Sequence, residues 1–155
     1  MQCPSRHLTA ALLLALGIPF ASPAEAASYL VHDAGEYTAA SANLQPGDEI
    51  VLANGIWNNT RLLLKGNGTA AAPITLRAQS PGQVVLTGQS DLRLAGQHLH
   101  VANLVFRNGY SPSDAVVAFR ESSKAVARNS RVTGLVIDDY SNPDPADQDQ
   151  WVMLY

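Results

Sequence analysis

From Glu49 onward the chain reads as a row of short apolar segments separated by Gly, Asn or Pro. The segments are Glu49–Ala53, Thr60–Lys65, Ile74–Ala78, Val84–Thr87, Leu92–Leu94, Leu99–Val101, Leu104–Arg107, Val116–Arg120 and Leu135–Asp138. Short β-rich runs between turn residues predict strands. Only Asp33–Leu44 predicts a helix: Asp33 can cap it, Glu36 follows three residues later, and alanines continue it. Pro46-Gly47-Asp48 then forces a turn.

An antiparallel sandwich wants longer strands, hairpin turns and an aromatic core. Here aromatics make up 6% of the chain, and Ile74, Leu99 and Val116-Val117 open segments at spacings near a solenoid coil of about 20–30 residues. The pattern therefore predicts an all-β fold, a right-handed parallel β-helix of about four to five coils. The Asp33–Leu44 helix should cap its N-terminal end and cover an open sheet edge. Alternation assigns Ile50, Leu52, Ile74, Leu76, Val85, Leu99, Val101, Leu104, Phe106, Val117, Val136 and Ile137 to the interior.

Residues 1–26 stand outside this pattern. Arg6 and His7 precede an apolar run from Ala10 to Ala21, and Ala24-Glu25-Ala26 has the small-x-small form of a signal-peptidase site. The run is shorter than the roughly 20 residues a spanning helix needs. It predicts an export signal and a periplasmic or secreted product, with no membrane attachment after cleavage. Cys3 is the only cysteine, so residues 27–155 have neither disulfides, zinc–thiolate sites nor a cysteine nucleophile. A net charge of −3 without a basic run argues against nucleic-acid binding, which requires clustered Lys and Arg.

Four features carry candidate chemistry. His98-x-His100 puts two imidazoles on one strand face, but no third ligand lies nearby, and solvent-facing histidines around Leu99 are favoured over a metal site. Asp138, Asp139, Asp144, Asp147 and Asp149 lack the glycine and ligand spacing of a calcium loop, which favours a solvated acidic loop. Arg120, Lys124, Arg128 and Arg131 form the only basic cluster. They either balance that acidic loop or, pointing outward, offer cations to an acidic polysaccharide. Asn58-Asn59-Thr60 and Asn67-Gly68-Thr69 match the N-glycosylation pattern but read equally as turns, as does Gly66 to Gly68.

A longer ordered set points to a family. Pro46-Gly47-Asp48-Glu49-Ile50-Val51-Leu52 and Asn54-Gly55-Ile56-Trp57 are similar to the opening coil of secreted β-helix carbohydrate enzymes. Gly66-Asn67-Gly68-Thr69 leads into Pro73-Ile74-Thr75-Leu76-Arg77-Ala78 and Pro81-Gly82-Gln83-Val84. Asn103-Leu104-Val105-Phe106-Arg107-Asn108-Gly109-Tyr110, Ala127-Arg128-Asn129-Ser130-Arg131-Val132, Val136-Ile137-Asp138-Asp139-Tyr140 and Trp151-Val152-Met153-Leu154-Tyr155 follow. Together, from about Val31 to Tyr155, these resemble polysaccharide lyase family six, which holds alginate lyases and chondroitinase B.

The resemblance implies β-elimination on an acidic, uronate-containing polysaccharide, with alginate the first choice of substrate. It also implies a catalytic Lys and Arg, with Asn and Glu ligands for calcium, in later coils that are not matched here. Lys65 and Lys124, the only lysines, lie outside the family's catalytic context. No catalytic or metal-binding residue is therefore assigned within this chain. Tyr155 closes on an apolar segment where a solenoid requires another coil or a cap. This reads residues 27–155 as the N-terminal coils of an incomplete lyase domain, inactive alone, with calcium bound only by the longer protein. The alternative is a non-catalytic β-helix serving as a glycan-binding or adhesin module.

Overall fold

The computed structural model describes residues 25–154. The proposed leader up to Ala24, and Tyr155, lie outside the described residues. The chain enters through β1 (Ser28–Val31) and α1 (Ala34–Ser41), then repeats a three-strand unit. The first unit is β2 (Glu49–Leu52), β3 (Gly55–Asn58) and β4 (Arg61–Asn67); the second is β5 (Ile74–Ala78), β6 (Val84–Gln89) and β7 (Asp91–Gln97). The third comprises β8 (Leu99–Ala102), β9 (Val105–Tyr110) and β10 (Ala115–Ala118), followed by β11 (Arg120–Ser122) and β12 (Ala125–Arg128). After these come β13 (Arg131–Thr133), β14 (Val136–Tyr140) and β15 (Gln150–Met153).

Strands stack across turns, not with their sequence neighbours. One sheet runs β1-β2-β5-β8-β13, a second β3-β6-β9-β14, and the third joins β4, β7, β10, β12 and β15. Their ladders are parallel. Among the described residues only β11 and β12 pair antiparallel. This is a parallel β-helix. Glu49, Thr75, His100 and Arg131 occupy one column, so three full turns separate Glu49 from Arg131. That is fewer than four to five complete coils, because the entry carries one strand and a helix, and the third turn spends extra residues outside its sheet.

Register explains the core. Ile50, Leu76 and Val101 stack in one inward column, Trp57, Leu86 and Phe106 in a second, and Leu62, Leu92 and Val117 in a third. All are buried. Each such aliphatic side chain contributes about 1.5–3 kcal/mol by leaving water. Two expected interior positions are wrong. Val85 and Val136 lie in the outward column Ile56–Val85–Val105–Val136, while Val84 and Leu86 point inward. The run Val84-Val85-Leu86 has no polar residue to set its phase, and alternation forbids Val136 and Ile137 from sharing a face.

The corners set that phase. Residues with positive φ recur where one sheet gives way to the next: Gly82, Asn103 and Gly134 at one corner, Asn59, Gly88, Asn108 and Asp139 at the second, and Gly96, His98 and Asn129 at the third. Asn, Asp and Gly tolerate this left-handed conformation best, which accounts for the Gly/Asn punctuation. Gly96 is the tightest of them. Its φ is 114°, and a β-carbon there would lie 1.9 Å from the Gly66 carbonyl oxygen.

The helix closes the N-terminal end and stops earlier than expected. Asp33 caps it by accepting the Glu36 N–H at 2.8 Å, and Glu36 accepts the His32 N–H at 2.7 Å. The Asp48 carboxylate then takes N–H groups from Ala27 and Gln45, pulling the chain into the turn before β2. That turn ends α1 at Ser41 rather than Leu44. Tyr37 is its single buried residue, and burial raises its hydroxyl pKa. At the far side Tyr140 packs edge-on to Phe106 with ring centroids 5.5 Å apart. Its hydroxyl accepts the Ser90 N–H at 2.9 Å and lies 2.7 Å from the Ser90 carbonyl. Among the described residues no helix is long and apolar enough to cross a membrane.

Candidate functional site

The third turn departs from the others on its third strand. Leu92 and Arg93 of β7 face Val117 and Ala118, but Gly96 and Gln97 face Ala127 and Arg128. Where β7 has two residues, Leu94 and Ala95, the next turn has eight, from Phe119 to Val126. The strand leaves its sheet as a hairpin and rejoins it, closed by the Ala127 N–H donating to the Phe119 carbonyl at 2.8 Å. Ser123-Lys124 is its tip.

A groove of about 410 Å³ opens between this hairpin and the sheet. Lys65, Gly66, Asn67, Ala95, Gly96 and Gln97 line it from the sheet, and Lys124, Ala125, Val126 and Arg128 from the hairpin and β12. Both lysines of the chain therefore meet here. The Lys65 ammonium donates to Glu121 on β11 at 2.8 Å, tying the sheet to the hairpin. Among the described residues the side chains of Lys124 and Arg128 make no ion pair. Three cations against one carboxylate leave the groove positive. Its glycines and alanines keep the floor free of bulk.

The four-residue basic cluster read from the sequence is thus divided. Lys124 and Arg128 face the groove, Arg120 lies 3.7 Å from Asp114, and Arg131 lines a separate cleft with His98, His100 and Asn129. There the pKa of His100 is lowered, first by burial and then by the Arg131 charge, and its Nε2 is 2.9 Å from the Thr133 hydroxyl. His98 sits at a corner with φ 50° rather than in the strand. The five aspartates do not converge either. Asp138 accepts from Arg107 at 2.9 Å, Asp149 from the Ser111 N–H, Asp147 from Asn142, and Asp144 from the Ala146 N–H. Among the described residues no three His, Cys, Asp or Glu side chains are grouped to hold a metal ion.

Sequence reasoning missed Lys65, Asn67 and Gln97 as partners of Lys124 and Arg128. The signal was one of spacing: Asn67, Gln97 and Arg128 are separated by about one coil each, as register partners must be. Elsewhere charge serves structure. Asp91, buried, holds Arg61, Arg93 and the Ser113 hydroxyl at the start of β7. Arg77 grips Glu49 across the first sheet and lowers the Glu49 pKa.

Fold and groove define a parallel β-helix with a cationic, amide-lined cleft on the outer face of one sheet. The family profile described as Chondroitinase B matches residues 31–155, and the chain belongs to that family, which is polysaccharide lyase family six. The solved family-six alginate lyase AlyGC is 50% identical with a TM-score of 0.81, over 83% of this chain and 18% of that one. A mannuronic-acid-specific family-six lyase from human gut microbiota is 29% identical over 81% of this chain and 30% of its own, with a TM-score of 0.70. A family-six lyase from Pseudopedobacter saltans is 27% identical over 80% and 28%, with a TM-score of 0.73. The chain thus spans about a fifth of AlyGC and under a third of the other two. Among curated proteins none matches.

Proposed function

We propose that this chain forms the N-terminal coils of an exported polysaccharide lyase that cleaves a uronate-containing polysaccharide, alginate first, by β-elimination. The observation that carries this reading is the 50% identity to an alginate lyase over 83% of the chain. The cationic groove supports an acidic polymer as partner. In the reaction a base removes the proton at C5 of the uronate, beside its carboxylate. The electron pair forms a C4–C5 double bond, the bond from C4 to the bridging oxygen breaks, and that oxygen leaves with a proton. A lysine near neutral pKa suits the base, and an arginine suits support of the departing oxygen. We place these groups, and a calcium site, in residues beyond this segment, and route no step through Lys65 or Lys124.

The test follows ultraviolet absorbance of the unsaturated product. The 155-residue chain should release none from alginate or dermatan sulfate, and a chain extended as far as its relatives should release it from one of them. Product from the short chain would overturn the placement of the catalytic groups. Absence of product from the extended chain on both polymers would overturn the lyase reading.

A further inference from the structure

We infer that the groove between β4, β7 and the β11–β12 hairpin is a binding site for a run of uronate sugars lying along the solenoid axis, anchored by Arg128. This deepens the proposed function and rests on its acidic-polysaccharide reading. Register carries the inference. Asn67, Gln97 and Arg128 are Cα partners on three neighbouring rungs, so their side chains form one outward column parallel to the axis. Neighbouring rungs are about 4.8 Å apart, close to the length of one sugar unit in an extended polymer. Each sugar can therefore meet one rung.

The chemistry of the rungs matches such a ligand. The Asn67 and Gln97 carboxamides both donate and accept, as sugar hydroxyls require. Arg128 offers a planar fork that a carboxylate engages through two parallel bonds. Lys65, two residues before Asn67 on the same face, and Lys124, at the hairpin tip, add point charges on the two walls. Gly66, Ala95 and Gly96 leave room for the sugar rings. Neither Lys124 nor Arg128 spends its charge on an ion pair among the described residues. Glu121 positions Lys65 at 2.8 Å, and its carboxylate competes with the ligand there.

The experiment is affinity electrophoresis of the full chain in gels containing alginate, neutral dextran or inorganic polyphosphate. Alginate should retard the protein, dextran should not, and polyphosphate should retard it much less, because amide rungs read sugars and not charge alone. Lys124→Ala with Arg128→Ala should weaken retardation by alginate about tenfold at low salt, two exposed charge-assisted contacts being lost. Both side chains are exposed, so the melting temperature should not move. Gln97→Glu, which puts an anion in mid-column, should weaken retardation similarly, and Arg128→Lys should restore part of what Arg128→Ala loses. Unchanged retardation in the double variant, or equal retardation by polyphosphate, overturns the site. Loss of alginate cleavage by the extended protein with retardation intact leaves the site standing and sinks the lyase reading. Cleavage with variant-insensitive retardation does the reverse.

Discussion

The turn from Thr75 to Leu99 and the turn from His100 to Ser130 share one scaffold and differ in two corners and on the third strand. Their first two strands, β5 and β8, then β6 and β9, stack in register with the same inward columns. The second of the two is six residues longer: its first corner is five residues shorter, its second five longer, and the Phe119–Val126 excursion opposite Leu94-Ala95 adds six. The shorter turn is buried where it faces in, with Leu76, Leu86, Leu92 and Leu94 all at 0% exposure. The hairpin of the longer turn is half-buried or exposed throughout. A solenoid rung is held by its neighbours, so a rung can let eight residues leave the sheet provided the strand rejoins in register. The rung supplies rigidity and the excursion supplies the groove.

The largest expected effect breaks the stacking that both turns need. Gly96→Val places a β-carbon against the Gly66 carbonyl at a φ of 114°. Strained backbone and overpacking together should cost about 4 kcal/mol or more, read as loss of soluble protein or collapse of the urea midpoint. A wild-type midpoint would show that the corner can shift. Next in size is a paired truncation. Leu94→Ala in the regular turn should cost about 2–5 kcal/mol, whereas Val126→Ala in the hairpin should cost under about 1 kcal/mol. Equal losses would erase the distinction between rung and excursion.

Excising the hairpin sharpens the comparison from the other side. Replacing Phe119–Val126 by Leu-Ala, the pair that β7 carries, should keep the parallel-sheet circular dichroism and shift stability by about 1 kcal/mol or less. Retention on alginate should fall together with it, since Lys124 is removed and Lys65 loses Glu121. Unfolding of this variant would mean that the hairpin holds the rung together. The smallest effect lies away from the groove. Arg77 holds the Glu49 carboxyl below its usual pKa, so the pair stabilises the fold above the unfolded value of about 4.3. That contribution disappears as pH falls through the lower folded value. Both side chains are partly exposed, so the gain at neutral pH should be under about 1 kcal/mol. Glu49→Gln should flatten stability across the acid range; an unchanged slope would show that Arg77 contributes nothing.

The class of fold was legible because its signals are local. Short β-branched runs, left-handed corners filled by Gly and Asn, and Asp33 with Glu36 at a helix start act over a few residues. The interior was legible where polar neighbours fix the phase, as in Ile74-Thr75-Leu76, and misread where none do, as in Val84-Val85-Leu86. Charge was harder to read. Arg120, Lys124, Arg128 and Arg131 formed one cluster in the chain but face three different places, because a strand that leaves and rejoins its sheet reorients each of them.

The sequence by itself determined that short strands wind into a parallel β-helix, that a helix begins at Asp33, and that the ordered motifs belong to polysaccharide lyase family six. Only the tertiary structure decided that Lys65 meets Lys124 and Arg128 across a groove, and that Asn67, Gln97 and Arg128 stand in one column. The physical reason is range. Propensity and alternation act between residues a few positions apart, whereas a site on a solenoid joins residues one coil apart through the register of parallel ladders. That register depends on the length of each turn, and the six residues inserted after Ala118 could be placed only once the strands on either side had found their partners.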